Sequence, residues 1–82
     1  MNNTIKNVVA DQVVDATGLA CPLPLLKLKL ALKSLNSDQV VKLIATDAGS
    51  KTDVPSFCEL SDNELIQFVE SDNIYYFWVK HG

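Results

Sequence analysis

Histidine is nearly absent: a single one, His81, lies at the end of the 82 residues, and this leaves no room for a zinc site or a Cys-His catalytic pair. The two cysteines, Cys21 and Cys58, lack Cys-x-x-Cys spacing, and nothing marks the chain as secreted, so two reduced thiols are expected. No glycine-rich phosphate loop, carboxylate pair or metal-ligand spacing occurs, so neither a cofactor nor a metal is expected. Clustered basic residues are missing as well: the net charge is −3 and the pI near 4.8, which argues against a surface for phosphate backbones and hence against direct nucleic-acid binding. The start, Met1-Asn2-Asn3-Thr4-Ile5-Lys6, has no apolar h-region, and no apolar run approaches a membrane span. The chain therefore reads as cytoplasmic and not membrane-associated. Whatever chemistry it performs belongs to one thiol and its backbone surroundings.

What is present is the composition of a folded protein, with 48% hydrophobic and 21% charged residues. A chain this short is expected to form one domain over 1–82 with a modest core, and residues 1–11, without a sustained period, are expected to form a loose lead-in. Within that lead-in, Ile5, Val8 and Val9 could extend a strand. Gln12-Val13-Val14-Asp15-Ala16 reads as a first strand ended by Thr17-Gly18, and its β-branched pair suggests a central position in the sheet.

The stretch Gly18-Leu19-Ala20-Cys21-Pro22-Leu23-Pro24-Leu25-Leu26 follows. Pro22 suits the first helical position, which places Cys21 at the N-cap, and Pro24 still falls inside the first turn, where no hydrogen bond is lost. A thiol there meets unpaired N–H groups and the positive end of the helix dipole, which favour its anion and make it a nucleophile. An ordinary buried cysteine before a proline-started helix explains the same residues. From Pro22 to about Leu35 the spacing is helical, with Leu25, Leu28, Ala31, Leu32 and Leu35 gathered on a core face. Leu23, Leu26 and Leu30 form a second stripe bordered by Lys27, Lys29 and Lys33, either incidental exposure or a docking surface beside the thiol that attracts acidic partners. We read it as docking.

Gln39 to Thr46 reads as a strand pairing in parallel with the first, which brings the loops after both strands to one sheet edge. Ser50 and Asp53 resemble a capping box opening a second helix that runs to about Leu60, although Pro55 suggests an irregular first turn with the regular helix starting at Asp53. Val54, Phe57, Cys58 and Leu60 form its expected core side, and Cys58 is read as a packing thiol. Asp47 and Ser50 are explained by turn formation and capping, and neither is assigned to chemistry. Glu64–Glu70 and Ile74–Lys80 read as a hairpin, with Tyr75, Phe77 and Val79 towards the helices and Tyr76 and Trp78 on the open side. The order β-α-β-α-β-β gives a two-layer α/β sandwich, a mixed four-stranded sheet with both helices on one face.

A Cys-Pro-x-Pro that follows a strand and Gly-Leu and opens a Leu/Lys helix resembles the TusA-type, or SirA-like, sulfur-carrier family. The landmarks Asp47-Ala48-Gly49-Ser50 and Asp53-Val54-Pro55-Ser56-Phe57-Cys58, and the hairpin with its aromatic strand, agree over about Val13 to Lys80. A Gly-His pair frequent in the family near positions 62 and 63 is missing, and no role is assigned there. The resemblance implies a covalent carrier rather than a stand-alone enzyme. Cys21 would accept sulfur as a persulfide from a cysteine desulfurase or another sulfurtransferase and relay it to a protein acceptor, with tRNA thiolation among the end uses. Pro22, Leu23, Pro24 and Leu25 would support the thiol, with the N–H groups of Leu23 and Leu25 as donors to it, while Leu23, Leu26, Lys27 and Leu30 would meet partners. A monomer is expected, with room for weak self-association through the open sheet face. A thiol redox protein, or a regulatory module that uses the Cys21 helix only for docking, remains the alternative.

Overall fold

The computed structural model describes residues 9–82. Most of the expected lead-in, including Ile5 and Val8, lies outside the described residues; Val9 is exposed and in no strand. Asp11 already belongs to the fold, since its N–H donates to the Val40 carbonyl (2.8 Å) while its Oδ2 accepts the Val40 N–H (2.7 Å).

The chain runs β1 (Gln12–Ala16), α1 (Leu23–Lys33), β2 (Val40–Ala45), α2 (Ser50–Glu59), β3 (Glu64–Ser71) and β4 (Ile74–Lys80). The sheet order is β1-β2-β4-β3, with β1 parallel to β2 and the other neighbours antiparallel. Period-2 alternation accounts for the central strands: Val41, Leu43 and Ala45 of β2 pair with Val79, Phe77 and Tyr75 of β4, and all six are buried on one face. Against that face pack Leu28, Ala31 and Leu32 of α1 and Val54 and Cys58 of α2, so both helices lie on the same side. Leu25, Leu35 and Phe57 border this core as half-buried residues. The Asp72-Asn73 turn between β3 and β4 has both residues at positive φ, the conformation that matches the twist of a two-residue hairpin.

Four expectations are corrected. Among the described residues β1 is an edge strand rather than a central one, because β2 and β4 form the middle of the sheet; Val13 is 58% exposed. α1 starts at Leu23 with Pro22 as N-cap, and ends at Lys33 rather than about Leu35. α2 is helical from Ser50 with Gly49 as N-cap and Pro55 inside it, and no side chain caps it. Leu60, expected in the core, lies just past the end of α2 and is 89% exposed. On the open face, Trp78 stands opposite Lys42 and Gln67 and is almost fully covered, with the Lys42 ammonium 5.2 Å from its ring.

Candidate functional site

The turn that presents Cys21 is built from local hydrogen bonds. Asp15 Oδ1 accepts the Thr17 N–H (3.0 Å) and hydroxyl (2.7 Å), and these bonds, the backbone one first, hold its carboxyl below the usual value. Gly18 follows at φ +79°, a conformation glycine adopts without steric cost, and its N–H donates to Thr46 Oγ1 (2.8 Å), tying the loop to the end of β2. Leu19 turns into the core edge, and the Leu23 N–H donates to the Ala20 carbonyl (2.9 Å), closing a turn around Cys21 and the cis Cys21–Pro22 peptide. Pro24 is buried under the helix start while Cys21 and Pro22 stay exposed.

Cys21 is thus one residue outside the N-cap rather than on it. The Leu23 N–H, one of two expected donors to the sulfur, is spent on Ala20. The Leu25 N–H has no hydrogen-bond partner among the described residues. Instead the thiol points across to the start of α2, where Cys21 Sγ donates to Asp53 Oδ2 at 2.7 Å. Gly49 makes this approach possible: a Cβ there would sit 3.3 Å from Cys21 Cβ and 2.8 Å from Asp47 Oδ2. Asp47 Oδ2 accepts the Gly49 N–H at 3.0 Å, which holds a second carboxylate close to the sulfur.

These neighbours overturn the expectation of an acidified thiol. The hydrogen bond to Asp53 pushes the Cys21 thiol up, and partial desolvation and the charges of Asp53 and Asp47 push in the same direction. The dipole of α1 weakens beyond the first turn, whereas the carboxylate is in contact, so contact prevails. Burial pushes Cys58 up too; it packs beside Val54 as a free thiol in the core, as expected.

Asp53 is the site residue that the sequence reading missed, because Ser50-x-x-Asp53 resembles a capping box. In fact Ser50 is buried as the first helical residue and its Oγ donates to the Asp47 carbonyl (2.6 Å), which leaves Asp53 unoccupied by capping. A usable signal existed: parallel pairing of β1 and β2 places both helix starts at one sheet edge, so a carboxylate opening α2 falls near a thiol opening α1.

Beside the thiol, Leu23, Leu26 and Leu30 are 46%, 46% and 68% exposed, as the second stripe required. Lys27 and Leu30 border a shallow depression against Gln12 and Val14, whereas Lys29 leans the other way, its ammonium 5.4 Å over the Phe57 ring. Between the helices, Leu25, Lys29, Asp53, Phe57 and Leu60 line an open groove of about 400 Å³. Among the described residues no group of three or more His, Cys, Asp and Glu side chains is placed to hold a metal ion. The arrangement can present one sulfur atom, with an acidic neighbour and an apolar helix face, to another protein.

The family model described as sulfurtransferase TusA matches residues 12–81. The sulfur carrier protein TusA of Allochromatium vinosum is 43% identical over 70 residues, covering 85% of this chain and 92% of that protein. That of Pseudomonas putida strain W619 is 37% identical over 70 residues, covering 85% and 88%. The crystal structure of a SirA-like protein from Desulfitobacterium hafniense shares the fold with a TM-score of 0.77 at 23% identity, over 87% of this chain and 97% of that one.

Proposed function

This chain belongs to the sulfurtransferase TusA family, and from that membership we propose that it is a sulfur carrier whose cargo rides on Cys21 as a persulfide. The observation that supports Cys21 is its placement: it is the exposed thiol of the two, held on a turn between β1 and α1, while Cys58 is packed in the core. In loading, the Cys21 sulfur attacks the outer sulfur of a donor protein's persulfide. The Cys21 S–S bond forms as the donor's S–S bond breaks, the donor cysteine leaves as a thiolate, and it takes up the proton that Cys21 gives up. In delivery an acceptor thiol makes the same attack on the Cys21 persulfide. The sulfane sulfur changes hands with no net oxidation or reduction.

The donor is a cysteine desulfurase or another sulfurtransferase, and the acceptor is the next carrier in a route such as tRNA thiolation. Leu23, Leu26, Lys27 and Leu30 supply the docking face, with Pro22, Leu23, Pro24 and Leu25 shaping the backbone behind the sulfur. The acidic charge supports a protein rather than a nucleic-acid partner, and the proposal places the carrier as a monomer in the cytoplasm, away from membranes; no described helix is long and apolar enough to cross one. Incubation with a cysteine desulfurase, its cofactor and free cysteine should add one sulfur atom to the wild type and to Cys58→Ser but none to Cys21→Ser, read by intact mass without reductant. A sulfur adduct that persists in Cys21→Ser overturns the assignment. The exposed leucine stripe also suits a purely regulatory docking module, whose activity would survive Cys21→Ser.

A further inference from the structure

Asp53 has no role in the transfer chemistry just described and none in capping, yet its placement is specific. It lies half-buried in the first turn of α2, and its carboxylate has one side-chain hydrogen-bond partner among the described residues, the Cys21 thiol. It forms no ion pair there; the salt bridges among the described residues join Lys51 to Glu70 and Lys80 to Asp38. A carboxylate can only accept, so in this 2.7 Å contact the thiol is the donor. The charged groups that face the sulfur are both acidic, Asp53 from α2 and Asp47 from the preceding loop. From α1, Lys29 lines the groove beside Asp53 with its ammonium over the Phe57 ring, and Lys27 lies near Asp15; neither forms an ion pair with Asp53 or Asp47 among the described residues.

We infer that Asp53 is a positioning residue that keeps the proton of Cys21 on sulfur in the free protein and so holds the thiol as a weak nucleophile towards solutes. The inference rests on the reading of Cys21 as the sulfur-bearing residue for its significance. Its physical basis is separate: a thiol that donates to a fixed anion loses that hydrogen bond and gains a like charge on ionising, and both effects oppose ionisation. An exposed cysteine thereby resists small alkylating and oxidising reagents, whose rates follow the thiolate fraction.

The test is the rate of iodoacetamide alkylation of Cys21 as a function of pH, resolved by peptide mass and accompanied by urea unfolding of each variant. The wild-type midpoint should lie above the ordinary thiol value of about 8.5. Asp53→Asn should lower it and make alkylation near neutral pH about tenfold faster. Asp53→Glu, which keeps the charge, should retain the slow reaction, and Asp47→Asn, which removes a charge not in contact, should shift the midpoint less than Asp53→Asn. A wild-type midpoint at or below the ordinary value overturns the inference, as does a change of less than about twofold in Asp53→Asn or an equal shift in Asp47→Asn. If Asp53→Asn does not fold, the wild-type midpoint and the comparison of Asp53→Glu with Asp47→Asn decide. The reagent needs no sulfur donor, so a flat result removes the role of Asp53 while loading of Cys21 stands, and failure to load leaves the pH profile as it is.

Discussion

Cys21 and Cys58 both resist ionisation, but one does so through an acidic contact at the surface and the other through burial. Reactivity at a fixed pH should therefore separate them by access: iodoacetamide should modify Cys21 in the native protein and spare Cys58, and in urea both should react. Equal native rates would contradict the buried placement of Cys58. Burial of Cys58 also links stability to pH. Its folded-state pKa is raised, so the folded chain keeps a proton that the unfolded chain releases; the contribution is complete below the unfolded thiol pKa and is lost as pH rises through the folded value. Unfolding stability should thus fall across the alkaline thiol range, and Cys58→Ala should flatten that fall. Identical slopes in urea titrations of the two proteins would show that Cys58 does not contribute. At this scale the sequence places Cys21 on the turn that opens α1, through two prolines and a glycine whose backbone limits are local. It misjudges the sign of the thiol's environment, because Asp53 looks like a cap until the fold shows that Ser50 bonds elsewhere.

α1 is a helix with two working faces. Its spacing alone separates Leu28, Ala31 and Leu32, all buried, from Leu23, Leu26 and Leu30, all exposed. Leu30→Glu should change unfolding stability by less than about 0.5 kcal/mol while slowing sulfur transfer from the donor and leaving small-molecule alkylation of Cys21 unchanged. Leu28→Ala, at a position with no exposure, should cost about 2–5 kcal/mol. A collapse of stability in Leu30→Glu would reverse the facial assignment, and unaltered transfer would make the stripe incidental. The start of α2 runs against its local signal. Pro55 lacks the N–H that an interior position uses, which favours a late start, yet Val54 and Cys58 are anchored in the core on either side of it and the helix runs from Ser50. Packing decides that boundary against local propensity.

At the scale of the fold, the sheet face opposite the helices is covered, among the described residues, by its own side chains and by no second layer. Tyr76 and Trp78 lie with ring centroids 6.4 Å apart, the Lys42 ammonium covers both, and Gln67 Oε1 is buried beside them without a hydrogen-bond partner among the described residues. An unpaired buried oxygen is unfavourable, so Gln67→Met should raise unfolding stability by about 1 kcal/mol, measured by urea; a loss of similar size would mean that the oxygen is satisfied in solution. The amino-acid pattern alone sets the six elements and their order, the inward and outward faces of α1 and β4, and the turn that carries the thiol, while leaving open whether that thiol is buried or exposed. Each of these depends on a side-chain period or on the covalent limits of proline and glycine, which act over a few residues. Only the folded arrangement shows that β1 is an edge strand among the described residues and that Asp53, of the acidic residues the parallel pairing brings to that sheet edge, is the one in contact with the sulfur, since strand order and a contact across 32 positions depend on packing between segments.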